Sequence, residues 1–371
     1  MTTLLSSPSE AGLDVGGVGA SLTLEAFQRL LEPRLLSWLA QKEKAALEES
    51  PDLGELTSRL HEFVARGGKR LRPALVFFAY RGCGGANEDA ALDLAMSTEL
   101  LHTYLLIHDD IMDHAAVRRG EPSAHLLFEA QHRARGWRGS SEQHGESVAI
   151  LLGDLAHSYA VELFMRAHSE IDRPALGEIF TAMCQEVVRG QYLEMTAPYR
   201  TGWNKDDLLA VLRLKSGRYS VERPLELGAT AAGASAETVS RLGVYGEALG
   251  EAFQLKDDLL GVFGVTDTVG KSVDSDIAEG KFTVLVQQAL ERSGEADRAV
   301  LEAALGDSNI SLETLARVRD IVTSSGASTE VESMIERRLT RATEALSEIE
   351  ISLDARTMFS DLVDFLRDRD H

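Results

Sequence analysis

Cysteine is almost missing from this chain: Cys83 and Cys184 are the only two in 371 residues. They form neither a CxxC pair nor a disulfide framework, a usage that suits a reducing cytoplasm. Long hydrophobic runs are missing too. No uninterrupted apolar run reaches the roughly 18 residues that crossing a bilayer requires. Positive charge is scarce, with 38 Lys and Arg against 59 Asp and Glu and a net charge of −21. That balance argues against nucleic acid or an anionic membrane as the main partner. It also makes any local cluster of Lys and Arg more telling, because such a cluster runs against the global field. Strand-like alternation of useful length, internal repeats and low-complexity tracts are all lacking. The opening MTTLLSSPSEAGLDVGGVGA lacks the charged start and apolar centre of a signal peptide. Residues 1–21 are therefore expected to be a disordered lead-in, and 22–371 a single domain.

What is present is helix. Leu24, Phe27, Leu31, Leu35 and Leu39 recur at spacings of three and four, an amphipathic pattern over Leu22 to Glu48. Further helices are expected from Glu55 to Arg66, Glu88 to Asp113, Ser147 to His168, Pro174 to Met195, Asp206 to Lys215, Tyr219 to Ala231 and Ala236 to Phe263, and from Lys281 to the end. A break is expected at Ser216-Gly217, and a polar surface excursion at Gln131 to Glu146. Acidic stretches such as Glu330 to Glu350 are expected to face solvent. The second half of Glu88 to Asp113 is apolar nearly all round, which places it in the middle of an all-helical fold.

That central helix ends in acids. In LLHTYLLIHDDIMDHAAVRR, Asp109 and Asp113 stand one turn apart on one face, and Asp110 lies about 100° around. Like charges at that spacing repel, and carboxylates beside a buried apolar run are costly unless something positive lies between them. A hard divalent cation removes both problems, since Mg²⁺ favours carboxylate, water and anionic substrate oxygen. A second acidic pair, Asp257 and Asp258, closes another long apolar helix. Cations accompany glycines and acids: Lys69, Arg70 and Arg72 after Gly67-Gly68, Arg118 and Arg119 beyond the first motif, Lys215 before Ser216-Gly217, and Lys271 and Lys281 beyond the second. Acids that hold metal and cations that hold more anion describe a site for polyphosphate esters.

GGKRLRP, LLHTYLLIHDDIMDHAAVRRG, LKSGRYS and FQLKDDLLGVFG, in this order, resemble the trans-isoprenyl diphosphate synthases, over most of the chain from Leu24 onward. The resemblance is greatest to geranylgeranyl diphosphate synthases. It implies a helical bundle around a deep central cavity, a homodimer, and head-to-tail condensation of isopentenyl diphosphate with an allylic diphosphate (dimethylallyl, geranyl or farnesyl). It implies magnesium as cofactor, three ions in all, with manganese as a substitute. Asp109, Asp113 and Asp257 would be its ligands, with Asp110 and Asp258 turned away to orient Arg or metal-bound water. Arg118, Lys215, Ser216, Gln254, Lys271 and Lys281 would hold the allylic diphosphate; Lys69, Arg72, His102 and Arg119 would hold isopentenyl diphosphate. His102 lies two helical turns before Asp109, on the same face.

Two positions depart from the family pattern: Gly261, where many members have a third Asp, and Glu194 in GQYLE, where Asp is usual. Tyr104, five residues before Asp109, sits roughly 7.5 Å along the helix from it. One aromatic there, beside the smaller Leu101 and Leu105, resembles synthases that stop at twenty carbons. A farnesyl diphosphate synthase is the nearest alternative. A terpene cyclase shares DDxxD, but GGKRLRP, His102 and Arg119 weigh against it because cyclases need no second-substrate site. A non-catalytic partner subunit is disfavoured by the nearly complete set of acids and cations.

Overall fold

In the computed structural model of the chain, residues 22–200, 203–264, 275–307 and 309–368 are described. The lead-in of residues 1–21 and Lys271 lie outside them. Helices follow one another at Leu24–Glu49 (α1), Pro51–Ala65 (α2), Leu71–Gly82 (α3) and Glu88–Met112 (α4). After a short hairpin, Val117–Arg118 (β1) with Glu121–Pro122 (β2), come Ala124–Ala134 (α5), Ser141–Ile171 (α6) and Ala175–Thr196 (α7). Lys205–Leu212 (α8) runs into a π-helical segment, Arg213–Glu222, and on into Arg223–Ala231 (α9) and Ala236–Phe263 (α10). The chain ends with Ser275–Ala278 (α11), Val284–Arg292 (α12), Glu295–Ala304 (α13), Leu312–Ser324 (α14), Ala327–Ser347 (α15) and Leu353–Asp368 (α16).

The helix boundaries have local causes. Ser50 accepts from the Asp52 N–H and Pro51 takes the first helical position, so α1 stops and α2 starts across one residue. Asn87 caps α4 by accepting from the Ala90 N–H. Buried on every side through Ala90 to Leu101, α4 runs through the core as its hydrophobic pattern requires. It packs against α3 and α6, while α10 packs against α15 and the π-helical segment.

The local detail adds to these expectations at several places and corrects some of them. Gln131 to Glu146 lies at the surface, exposed from Arg133 to Ser140, but most of it is helical: α5 runs to Ala134 and α6 begins at Ser141, where Ser140 accepts from the Gln143 N–H. The polar composition reflects two exposed helix ends and the short connection between them, residues 135–140. The chain does not break at Ser216-Gly217 but widens into a π-helix, so backbone bonding continues through the glycine. Glycines on both sides make room for the wider coil. A Cβ at Gly190 of α7 would lie 2.4 Å from the Lys215 nitrogen, and one at Gly250 of α10 would lie 2.6 Å from the Gly217 Cα. The acidic stretch at Glu330 to Glu350 is solvated on one side only, because Val331, Met334, Ile335, Leu339, Ala342 and Leu346 of α15 are buried. Finally, the RRG sequence forms a two-residue hairpin that alternation could not reveal. Arg119 and Gly120 take φ of 55° and 78° at its tip, the left-handed pair of a tight turn.

Candidate active site

The first acidic motif ends α4. The backbone N–H of Asp113 donates to the Asp109 carbonyl at 2.8 Å, so the two acids close the last helical turn. Asp110 points into the protein, fully buried, and accepts from Arg118 Nε at 2.8 Å as well as from its Nη2. Arg118 also lies 4.0 Å from Asp109 Oδ2. Asp109 Oδ1 accepts from Gln191 Nε2 at 3.1 Å and from Lys215 Nζ at 3.4 Å. Lys215 in turn pairs closely with Glu194, whose extra methylene lets it reach the ammonium.

Asp113 is the group in need of a cation. Its Oδ2 is buried without a hydrogen bond, and Lys281 Nζ stands 3.8 Å away. Burial first, then repulsion from Asp109, pushes its carboxyl up to about 6 against the pull of Lys281 and Lys215. An orphaned carboxylate oxygen beside a second carboxylate, in an all-oxygen donor set, fits a hard divalent ion.

The second motif ends α10. Asp258 is buried and accepts from Gln254 Nε2 at 2.9 Å, and Ser216 Oγ donates to Gln254 Oε1 at 2.5 Å. Asp257 is half-buried. Lys215, Ser216, Gln254, Asp258, Lys281 and Glu194 line one cleft, and its two lysines face the first motif, Lys215 toward Asp109 and Lys281 toward Asp113. Gly261 lies one turn beyond Asp257 and supplies no side chain.

Beside this cleft lies a cavity of about 620 Å³, lined at one end by Lys69, Arg72, Glu99, His102 and Arg119. Gly67 and Gly68, with φ of 80° and 148°, and Arg70, with φ of 50°, turn the chain sharply into α3. Arg70 faces inward, paired closely with the buried Glu99 and donating to the Val64 carbonyl at 2.7 Å. Lys69 and Arg72 line the cavity beside it, with Arg70 held in the wall by that pairing. The Arg119 guanidinium packs against Gly68, where a Cβ would lie 2.8 Å from it. The hairpin thus sends Arg118 to the acids and Arg119 to the cavity.

Three partners in this cavity escaped the sequence reading: Tyr219, Ser220 and Glu99. Tyr219 OH is 2.9 Å from His102 Nδ1, and Arg72 lies over the Tyr219 ring at 4.7 Å while donating to Ser220 Oγ at 2.6 Å. Their signal was LKSGRYS itself, in which only Lys215 and Ser216 received a role. Burial, reinforced by Arg72, Arg119, Arg118 and Arg70, drives the His102 imidazole well below its ordinary value. It is therefore a neutral hydrogen-bonding group. Burial and the neighbouring arginines also lower Arg119, and Glu99 offsets part of that.

Tyr104 leaves the axis of α4 toward α6. Its ring meets His108 edge-on at 4.7 Å and His157 at 5.0 Å. Leu101 is fully buried and Leu105 half-buried.

Residues 54–322 match the model of the polyprenyl synthetase family. The chain belongs to that family. As a polyprenyl synthetase it is 35% identical over 309 residues to the short chain isoprenyl diphosphate synthase of Methanothermobacter thermautotrophicus, covering 83% of this chain and 88% of the relative. It is 32% identical over 265 residues to the geranylgeranyl diphosphate synthase of Saccharolobus solfataricus, covering 71% and 74%. Its fold superimposes with a TM-score of 0.89, at 32% identity over 94% of this chain and 100% of the other, on geranylgeranyl pyrophosphate synthase from Corynebacterium glutamicum complexed with isoprenyl diphosphate and magnesium. Among its described residues this polyprenyl synthetase has helices and the one short hairpin, the helical fold its periodicity implied, and its family is one of prenyltransferases.

Proposed function

We propose that the protein condenses isopentenyl diphosphate with an allylic diphosphate and elongates it to a twenty-carbon all-trans product, geranylgeranyl diphosphate. The observation that carries this reading is the pair of adjoining sites. One is an acid-lined cleft with Lys215 and Lys281; the other is an arginine- and lysine-lined cavity that a single-substrate enzyme would not need.

Asp109, Asp113 and Asp257 would hold magnesium, which when bound neutralises the allylic diphosphate as its C–O bond breaks. Lys215, Lys281 and Arg118 bind the same diphosphate oxygens, and Gln254 and Ser216 orient it beside them. Lys215 and Lys281 arrive already paired with Glu194 and Glu279, the latter at 2.7 Å, so binding exchanges those carboxylates for phosphate. In the cavity, Lys69, Arg72 and Arg119 take the second diphosphate, with neutral His102 donating or accepting without adding charge. The Leu and Phe side chains of that cavity, Leu71, Leu249 and Phe253 among them, exclude water from the reacting carbons. Tyr104 forms the floor at which the growing chain stops.

A homodimer is part of the same reading. Ile150, Leu151, Val161 and Met165 of α6 and Val188, Tyr192 and Met195 of α7 are exposed. The two helices are neighbours, since Phe164 and Phe180 stack at 4.2 Å. Among the described helices α6 alone is long and apolar enough to cross a membrane, with a best window of mean hydropathy 1.4. It packs along α4 and α5, however, and carries the charged Asp154 and Glu162, so its surplus apolar surface fits a second copy.

The deciding experiment incubates pure protein with magnesium, labelled isopentenyl diphosphate and each allylic starter in turn. The reading expects a twenty-carbon prenyl diphosphate. A fifteen-carbon end product would make it a farnesyl diphosphate synthase. Hydrocarbon from geranylgeranyl diphosphate alone would make it a cyclase, and no turnover a partner subunit.

A further inference from the structure

His108 has no role in the chemistry above, yet it is the residue directly before Asp109 and its side chain is tightly held. The imidazole lies on bare backbone: a Cβ at Gly153 of α6 would stand 2.4 Å from both its Cδ2 and its Nε2. No other residue type than glycine leaves room for the ring there. Nε2 is 3.0 Å from the Ile150 carbonyl oxygen and 3.8 Å from Asp154 Oδ1. A carbonyl only accepts, so Nε2 carries the proton and donates. The ring also makes an edge-on contact with Tyr104, centroids 4.7 Å apart, and His157, one turn of α6 beyond Gly153, lies 5.0 Å from the same Tyr104 ring.

We propose that His108 is a positioning residue, which through its Nε2–H···O=C bond to Ile150 across Gly153 fixes the rotation of the last turns of α4. Because one helix carries Tyr104, His108, Asp109 and Asp113, that single bond sets two things together. It aims the Asp109 carboxylate into the cleft, and it holds the Tyr104 ring across the path of the growing chain. Product length is on this view decided partly from α6, through a residue that does not itself line the path. The inference rests on the reading of Tyr104 as the floor.

The test uses the full chain with His108→Ala, His108→Gln, His108→Asn, Gly153→Ala and the double variant His108→Ala/Gly153→Ala. Turnover, product length and, in metal-free protein, amide hydrogen exchange at residues 109–113 are measured. A Gln amide nitrogen reaches the place of Nε2, whereas an Asn amide reaches only that of Nδ1. His108→Ala is expected to lengthen products, lower kcat by about tenfold, as sub-ångström misplacement of a reacting group can, and speed exchange at 109–113. His108→Gln restores all three and His108→Asn does not. Gly153→Ala mimics His108→Ala at lower thermal stability, and the double variant, freed of the clash, regains the stability of His108→Ala. Unchanged exchange and product length in His108→Ala, or equal behaviour of the Gln and Asn variants, would overturn the proposal. A wild-type protein that makes no prenyl diphosphate defeats the functional reading instead, and the exchange data still decide the role of His108.

Discussion

At the residue scale the site is governed by charges that cannot be satisfied by protein alone. Asp113 is the clearest. Its carboxyl titrates at about 6 instead of 3.8, because burial and Asp109 outweigh Lys281 and Lys215. The folded state then holds more protons than the unfolded state between those two values, so this group lowers stability as pH rises through 6 and adds nothing unfavourable below 3.8. The gap corresponds to about 3 kcal/mol at most. Asp113→Asn is accordingly expected to raise the Tm of metal-free protein above pH 6 by a few degrees, and to cancel the stabilisation that magnesium gives, both read by thermal scanning with and without magnesium. Apparent magnesium affinity in the wild type should weaken below pH 6 as the proton competes. Asp109→Ala and Asp257→Ala should cut kcat by orders of magnitude with the fold intact by circular dichroism; near-normal turnover at saturating magnesium would defeat the metal assignment. His102 behaves oppositely to Asp113. Held neutral by burial and arginines, it should leave isopentenyl diphosphate binding flat across its usual titration range. Tyr219→Phe removes its hydrogen-bond partner and should raise KM for isopentenyl diphosphate about fivefold, the equivalent of about 1 kcal/mol, with kcat for bound substrates less affected.

At the element scale two devices bring the residues to their places. The hairpin Val117–Pro122 lets consecutive arginines serve neighbouring sites, since Arg118 ends β1 and Arg119 occupies a left-handed turn position. The π-helical segment Arg213–Glu222 presents Lys215 and Ser216 to the acidic cleft and Ser220 to the cavity, with Tyr219 buried behind His102 and Arg72. Its close approach to α7 depends on Gly190, so Gly190→Ala should displace Lys215 and reduce activity well beyond any change in melting temperature. Along α4, Tyr104→Ala should open the floor and lengthen the product by one or more five-carbon units. An unchanged distribution by chromatography of dephosphorylated products would show that the floor lies elsewhere. Much of this level was legible beforehand. The extents of α4 and α10 follow from apolar periodicity, a local signal, whereas α2 begins at Pro51 and not at Glu55, because Pro51 opens that helix instead of breaking the chain. The π-helix and hairpin were not, because both depend on partners distant in sequence: Gly190 and Gly250 for the first, Gly68 and Asp110 for the second.

At the scale of the whole molecule, the exposed apolar face of α6 and α7 should bury itself against a second copy. Leu151→Asp with Met165→Asp is expected to shift the protein from dimer to monomer in light scattering after gel filtration. A wild-type monomer at micromolar concentration would remove the dimer from the reading.

What the sequence by itself determined was the chemistry: acids at helical spacing after an apolar run, cations after glycines, and an all-helical chain with few cysteines. Those are one-dimensional properties, because spacing along a helix dictates which residues share a face. What only the tertiary structure decided was which partner each group keeps. Arg70 pairs with Glu99 at the cavity wall, Tyr219 belongs to His102, Lys215 to Glu194, and His108 lies on Gly153. Each of those pairs joins residues far apart in the chain, and packing of one helix against another, not local preference, selects among the partners that charge and shape would allow.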